Sequence, residues 1–288
     1  MIYSATNIKI NSAMVVAKIL PNEDDAHAAF QMKENSKTNW STYSLISTYS
    51  GKDTIKVTFD FYDLKANTKY DFRIKVVNKA GESVSEIATF ETYAVTDFDG
   101  NYYHTVTIGT QVWLRENFKG THFANGDPIP NITDQVQWEA STSSAYCYYN
   151  NDIKNADTYG ALYNWYTASD SRELIAGFHT PSEAEFRTIA NYLGGQSVAG
   201  GAMKEAGFAH WVQPNKGATN SSGFTGLPAG VRQGKFSNLG DGGIFWTKDR
   251  FFGLSDQGYV FDLGEVWSQL GSGGCYNWQG LSLRLIKN

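Results

Sequence analysis

The sequence predicts a mainly β chain with an α+β second half: a β-sandwich over residues 1–94, then a domain of mixed strands, loops and few helices over 95–288. Three observations predict it. Up to about residue 94, apolar side chains recur at every second position in short runs split by turn residues, the period of half-buried strands. From Phe98 the strands shorten and aromatics and glycines crowd in. One well-signalled helix, near 181–193, interrupts that second texture. At 288 residues, both parts can bury a core of their own.

In the first domain the clearest strand is TKYDFRIKVV. Tyr70, Phe72, Ile74 and Val76 fall on one face, and Asp71, Arg73 and Lys75 on the other. Leu64 stands six residues before Tyr70 across the turn KANT. Leucine, turn, then a tyrosine opening a strand is the arrangement of the tyrosine corner of β-sandwiches. NKAGES supplies the next turn, and VSEIATFETYAV resumes the pattern. This stretch resembles a fibronectin type III domain over nearly its whole length, LKANTKYDFRIKVVNKAGES being the specific part. The resemblance implies a seven-stranded sandwich that spaces or adheres and carries no chemistry.

Beyond the boundary, DFDGNYYHTVTIGTQVWLREN reads as short strands reversing at DGN and IGTQ. Asp97, Asp99, Gly100 and Asn101 also match the opening of a calcium loop, but no bidentate glutamate follows at the required spacing. A turn is the expectation. In GFHTPSEAEFRTIANYLGG, Thr180 is read as the N-cap, Pro181 as the first helical residue and Glu183 as the capping-box partner. Phe186, Ile189, Ala190 and Leu193 form one apolar face, and Gly194–Gly195 stop the helix. His179 lies just outside the cap without a sequence-local partner, so the histidine and two glutamates here describe a helix start and not an acid/base centre.

Composition narrows the function. The net charge is -5 with no basic block, so the phosphate backbone of a nucleic acid meets no complementary surface. No apolar run is long enough to cross a bilayer as a helix, and no secretory leader is visible in MIYSATNIKI; a targeting segment, if used, lies outside this sequence. Cys147 and Cys275 stand far apart with no metal-binding spacing, which leaves one disulfide or two free thiols. No cofactor or metal is expected.

The second domain carries a further resemblance. DFDGNYYHTVTIGTQVWLREN, NGDPIPNITD, AYCYYNND, TYGALYNWY, GFHTPSEAEFRTIANYLGG, SVAGGAMKEAG, HWVQPNKGATNSSGFTGLPAG and GLSLRLIKN follow one another as in the Fibrobacter succinogenes major paralogous domain, a bacterial extracellular domain. The resemblance implies a C-type-lectin-like fold related to formylglycine-generating enzyme domains. That family often places cysteines where Leu174 and Leu285 stand here. If the two positions face each other, an apolar pair replaces a disulfide, recovering ~2 kcal/mol of burial per side chain and losing the cross-link's chain-entropy gain.

Enzymatic readings fail on residues. The formylglycine-generating relatives use paired cysteines near the C-terminal end of the domain, where only Cys275 stands. No G-x-S-x-G elbow, H-E-x-x-H motif or phosphate loop occurs. Calcium-dependent lectins of this fold pair a triplet like Gln213-Pro214-Asn215 with a later Trp-Asn-Asp, but Phe245-Trp246-Thr247-Lys248 stands in that place. A loop turn is the reading, and calcium-free stacking of glycans on Trp or Tyr stays open.

The segment from Trp246 to Gly280 drifts from the family pattern between matching flanks. It is rich in Tyr, Trp, Phe, Ser, Gly, Asp, Asn and Gln, a composition like that of antibody paratopes. Phe251, Phe252, Val260, Leu263 and Val266 are expected to lie partly in the core. The candidate ligand-binding residues are Arg250, Phe252, Asp256, Gln257, Tyr259, Asp262, Glu265, Trp267, Gln269, Tyr276, Asn277, Trp278 and Gln279. The expectation is a non-catalytic binding or adhesion protein at a bacterial cell, extracellular or virion surface, taking a foreign protein or glycan. The layout also resembles the hypervariable proteins of diversity-generating retroelements. The alternatives are a structural subunit of a pilus or surface assembly and a calcium-independent glycan-binding module.

Overall fold

The computed structural model describes residues 2–288, 40% of them in strands and 14% in helices. The chain divides into two compact units between Val95 and Thr96.

The first unit contains β1 (Ile2–Thr6), β2 (Ala13–Ile19), β3 (Ala26–Glu34), β4 (Ser41–Tyr49), β5 (Ile55–Phe61), β6 (Lys69–Asn78), β7 (Gly81–Val84) and β8 (Ala88–Glu91). One antiparallel sheet runs β1-β2-β5; the other runs β4-β3-β6-β7, with β8 also on β6. Between them lie Val15, Ala17, Phe30, Phe72 and Ile74, all buried. The Tyr70 hydroxyl accepts the backbone N–H of Lys65 at 2.9 Å, the bond that defines a tyrosine corner.

Two details depart from the sequence reading. Eight strands stand among the described residues where seven were expected, because Ser85 breaks the last one. Its N–H donates to Ile74 O at 2.9 Å, and its hydroxyl accepts the Ile74 N–H at 3.0 Å, replacing a backbone rung. Asp71, assigned to a solvated face, is buried instead. Lys33 Nζ at 2.7 Å, Asn35 Nδ2 at 2.9 Å and Thr89 Oγ1 at 2.9 Å satisfy its carboxylate.

In the second half β9 (Val95–Thr96), β10 (Tyr102–Tyr103), β11 (Thr105–Ile108) and β12 (Gln111–Leu114) lead into α1 (Gln135–Ala140), β13 (Tyr146–Cys147), α2 (Ala156–Tyr159), β14 (Leu162–Tyr163) and α3 (Trp165–Ala168). After β15 (Phe178–His179) come the principal helices α4 (Glu183–Tyr192) and α5 (Gln196–Met203). The hairpin β16 (Ala229–Gln233) and β17 (Lys235–Leu239) precedes β18 (Gly242–Arg250), β19 (Gln257–Gly264) and β20 (Gly271–Tyr276), and β21 (Ile286–Lys287) closes the unit. One sheet has the order β11-β12-β21-β15 and another β18-β19-β20. Trp113, Phe186, Ile189, Phe224, Phe245 and Phe261 form the core between them.

Helix α4 begins two residues later than the sequence reading places it. Ser182, not Thr180, is the N-cap, and Glu185, not Glu183, closes the capping box. TPSE and SEAE are overlapping boxes, and the second wins because Glu185 also meets His179 Nε2 at 2.9 Å. His179 therefore has a near partner, and Asn288 Oδ1 lies 2.6 Å from its Nδ1. Glu183 instead pairs with Arg187 at 2.7 Å. Phe186, Ile189 and Ala190 are buried as the periodicity predicts. The helix ends in a Schellman motif: the N–H of Gly195 donates to Ala190 O at 2.8 Å, and that of Gly194 to Asn191 O at 3.2 Å.

Candidate binding face

The sheet β18-β19-β20 has two faces because side chains alternate along a strand. On β19, Tyr259, Phe261 and Leu263 point into the core, while Gly258, Val260, Asp262 and Gly264 point the other way. Two turns leave this sheet from opposite ends. Residues 251–256 join β18 to β19, and 265–270 join β19 to β20. The candidate residues fall into two clusters at those ends instead of one tip.

At the first end, Phe252 is 83% exposed at φ 47°, a left-handed backbone that a bulky residue rarely adopts. Its ring lies 4.4 Å from Phe251. Tyr276 is 49% exposed and stacks on the half-buried Trp278, with rings 6.3 Å apart and 8° from parallel. Arg250 lies over the Trp165 ring at 4.5 Å and donates to the carbonyls of Leu254 and Ser255, bracing the turn. Asp256 is exposed and Gln257 half-buried. Leu254, which the sequence reading omits, is exposed here too. At the other end stand Asp262 and Glu265, half-buried, with Trp267 and Gln269 exposed.

Three candidates are buried and belong to the scaffold. Tyr259 sits between Phe251 and Phe261, and its hydroxyl accepts from Arg187 Nη2 at 2.9 Å. The alternation shared with Phe261 and Leu263 marks it as a core position. Asn277 donates through Nδ2 to Ser255 O at 3.0 Å, and its own carbonyl accepts the Trp165 N–H at 2.9 Å. Gln279 accepts the Tyr276 N–H at 2.7 Å and donates to Gln233 Oε1 at 2.9 Å. These amides hold the turn in shape. Conversely Phe252 and Val266, expected partly in the core, are exposed, whereas Val260 and Leu263 are buried.

Three cations without a carboxylate partner shape the scaffold, and no sequence signal announces them. Arg284 is fully buried; it donates to the Leu114, Arg115 and Phe224 carbonyls and to Asn117 Oδ1, and burial lowers its pKa to about 9. Arg232 donates to Ile132 O at 2.6 Å and Thr133 O at 2.8 Å, over the Trp138 ring. Lys204 donates to the carbonyls of Lys216, Gly264 and Trp267 at 2.8–2.9 Å, and burial lowers its pKa to about 8.

The other chemical candidates have structural occupations. Both thiols are free. Burial pushes Cys147 up to about 11 and Cys275 up to about 12, away from the reactive thiolate. Asp97 accepts from Asn101 and from the Tyr103 hydroxyl, and Asp99 from Thr121, with His122 Nδ1 also 2.6 Å away. Asn215 is buried, donating to the carbonyls of Glu205 and Gly207. Leu174 and Leu285 are both buried.

The family model described as the Fibrobacter succinogenes major domain matches residues 106–287. The chain belongs to that family. The Fibrobacter succinogenes major domain thus runs from within β11 through β21 and includes all thirteen candidate residues from Arg250 to Gln279. Solved structures similar to part of the chain include a human fibronectin type III domain (21% identity, 31% of this chain, 80% of that one, TM-score 0.23). Another is the sensor domain of the anti-sigma factor RsgI4 of Pseudobacteroides cellulosolvens (24% identity, 32% of this chain, 89% of that one, TM-score 0.26). A structure described as a myokine is 21% identical over 31% of this chain and 90% of its own, with TM-score 0.27. No curated protein matches the chain.

Proposed function

We propose that the chain is a non-catalytic binding protein of a bacterial cell or virion surface, with a foreign protein or glycan as ligand. In this reading the first unit is a fibronectin type III-like spacer, and the second is a C-type-lectin-like domain presenting the end of the β18-β20 sheet. One observation carries it: Phe252 and Tyr276 expose their rings to water beside backbone that Arg250, Asn277 and Gln279 brace with side-chain hydrogen bonds. Rigid, exposed aromatics beside polar groups are the usual anchors of protein recognition. The aromatic-polar composition of segment 247–279, which carries this surface, also supports a hypervariable role in a diversity-generating retroelement.

Probing a glycan and protein array with the full chain tests the reading. Capture that is lost in Phe252→Ala and Tyr276→Ala, with folding intact, supports it; capture unaffected by both moves the site elsewhere. An adjacent reverse transcriptase gene with an adenine-bearing template repeat is the expected genomic mark of the hypervariable role.

A further inference from the structure

At the other end of β19, the outer face of the sheet is indented by a cleft of about 260 Å³. One wall is the Trp267 ring, which lies so close over Gly264 that any Cβ there would overlap it. The Asp262 carboxylate sits over Gly271 in the same way. Asp241 and Glu265 also line the cleft, their backbones joined by Glu265 N–H to Asp241 O at 3.0 Å. Among the described residues the lining holds three carboxylates and one indole, with no lysine, arginine or histidine.

The charge there is poorly compensated. Burial raises the Asp262 pKa, and among the described residues no cation or donor offsets it. Lys204 attracts Glu265, but its three N–H donors are committed to the carbonyls of Lys216, Gly264 and Trp267. Lys204 thus fixes the backbone that carries the indole, and Asp262 is the carboxylate left without a cation among the described residues.

We propose that this cleft seats the cationic end of a lysine or arginine side chain from a partner protein, between the Asp262 and Glu265 carboxylates and against the Trp267 ring. An indole is the aromatic face that attracts cations best. A half-buried carboxylate gains most from a ligand that brings the missing charge. A neutral sugar would stack on the ring and leave the Asp262 carboxylate without a counter-charge. The site is independent of the exposed rings at Phe252 and Tyr276, because β19 separates the two ends by roughly 23 Å at ~3.3 Å per residue.

The test is a titration of the ¹⁵N-labelled full chain with n-butylammonium and n-butylguanidinium. The Trp267 indole N–H resonance, assigned by its loss in Trp267→Phe, is followed. It should shift saturably at millimolar concentration, and Asp262→Asn should raise the midpoint about tenfold, as expected for losing a charge-assisted bond. Glu265→Gln should act in the same direction and serves if Asp262→Asn does not fold. A Phe252→Ala, Tyr276→Ala double variant should titrate like the parent, so failure of the binding reading leaves this result standing. No saturable shift, or an unchanged midpoint in the carboxylate variants, overturns the proposal. An equal shift with methyl α-D-glucopyranoside overturns it in favour of a glycan.

Discussion

Glu185 Oε1 lies 2.9 Å from His179 Nε2, while Oε2 of the same carboxylate accepts the Ser182 N–H at 2.7 Å. One side chain thus ties a strand end to a helix start. Burial raises its pKa, but the bonds from Ser182 and His179 outweigh that and hold it below the ordinary 4.5. Because the folded value lies below the unfolded one, the stabilisation is complete above about 4.5 and disappears as pH falls through the folded value. Denaturant melts of the parent and Glu185→Gln should therefore differ at pH 7 and converge towards pH 3. Ser182→Ala should cost about 1 kcal/mol at neutral pH.

Tyr259 and Phe252 should separate scaffold from surface. Tyr259→Ala empties a core position and should cost about 3 kcal/mol or more. Phe252→Ala and Tyr276→Ala should stay within about 0.5 kcal/mol of the parent. Urea unfolding midpoints of the three variants check this, and a stability loss in Phe252→Ala equal to that in Tyr259→Ala would contradict the exposure described.

Gly258 lies against Trp165, and a Cβ there would overlap the indole. Gly258→Ala should displace the ring and the Arg250 guanidinium stacked on it, costing about 1–3 kcal/mol. The same urea measurement, with near-ultraviolet circular dichroism for the moved indole, reads the outcome.

The two thiols should be slow to react. With Cys147 near 11 and Cys275 near 12, the thiolate fraction at neutral pH is small. Native protein should take up iodoacetamide roughly a hundredfold more slowly than denatured protein. Mass spectrometry of timed aliquots gives both rates.

Features built from neighbours in sequence were legible before the structure. The face of Tyr70, Phe72 and Ile74, the tyrosine corner and the apolar side of α4 are set by residues within a few positions of one another. The capping box was legible in kind but not in register, because TPSE and SEAE both satisfy the pattern. Groups outside the motif favour the second box: His179 meets Glu185, and Asp249 Oδ2 accepts the Glu183 N–H at 2.6 Å from 66 residues away. Asp71, Asn277 and Gln279 escaped for the same reason, since polar residues become buried only when remote donors or acceptors satisfy them. Tyr259 was readable from the parity of β19. The carboxylate cleft was not, because Asp241 enters it from the turn before β18.

Strand β21 lies between β12 and β15, with Ile286 opposite both Trp113 and His179. A sheet cannot form around a missing middle member, so the unit cannot complete its fold during synthesis until Ile286 has left the ribosome. A frameshift or stop codon anywhere in 247–279 deletes that strand together with Arg284. Such a truncation should leave β12 and β15 without the strand that joins them.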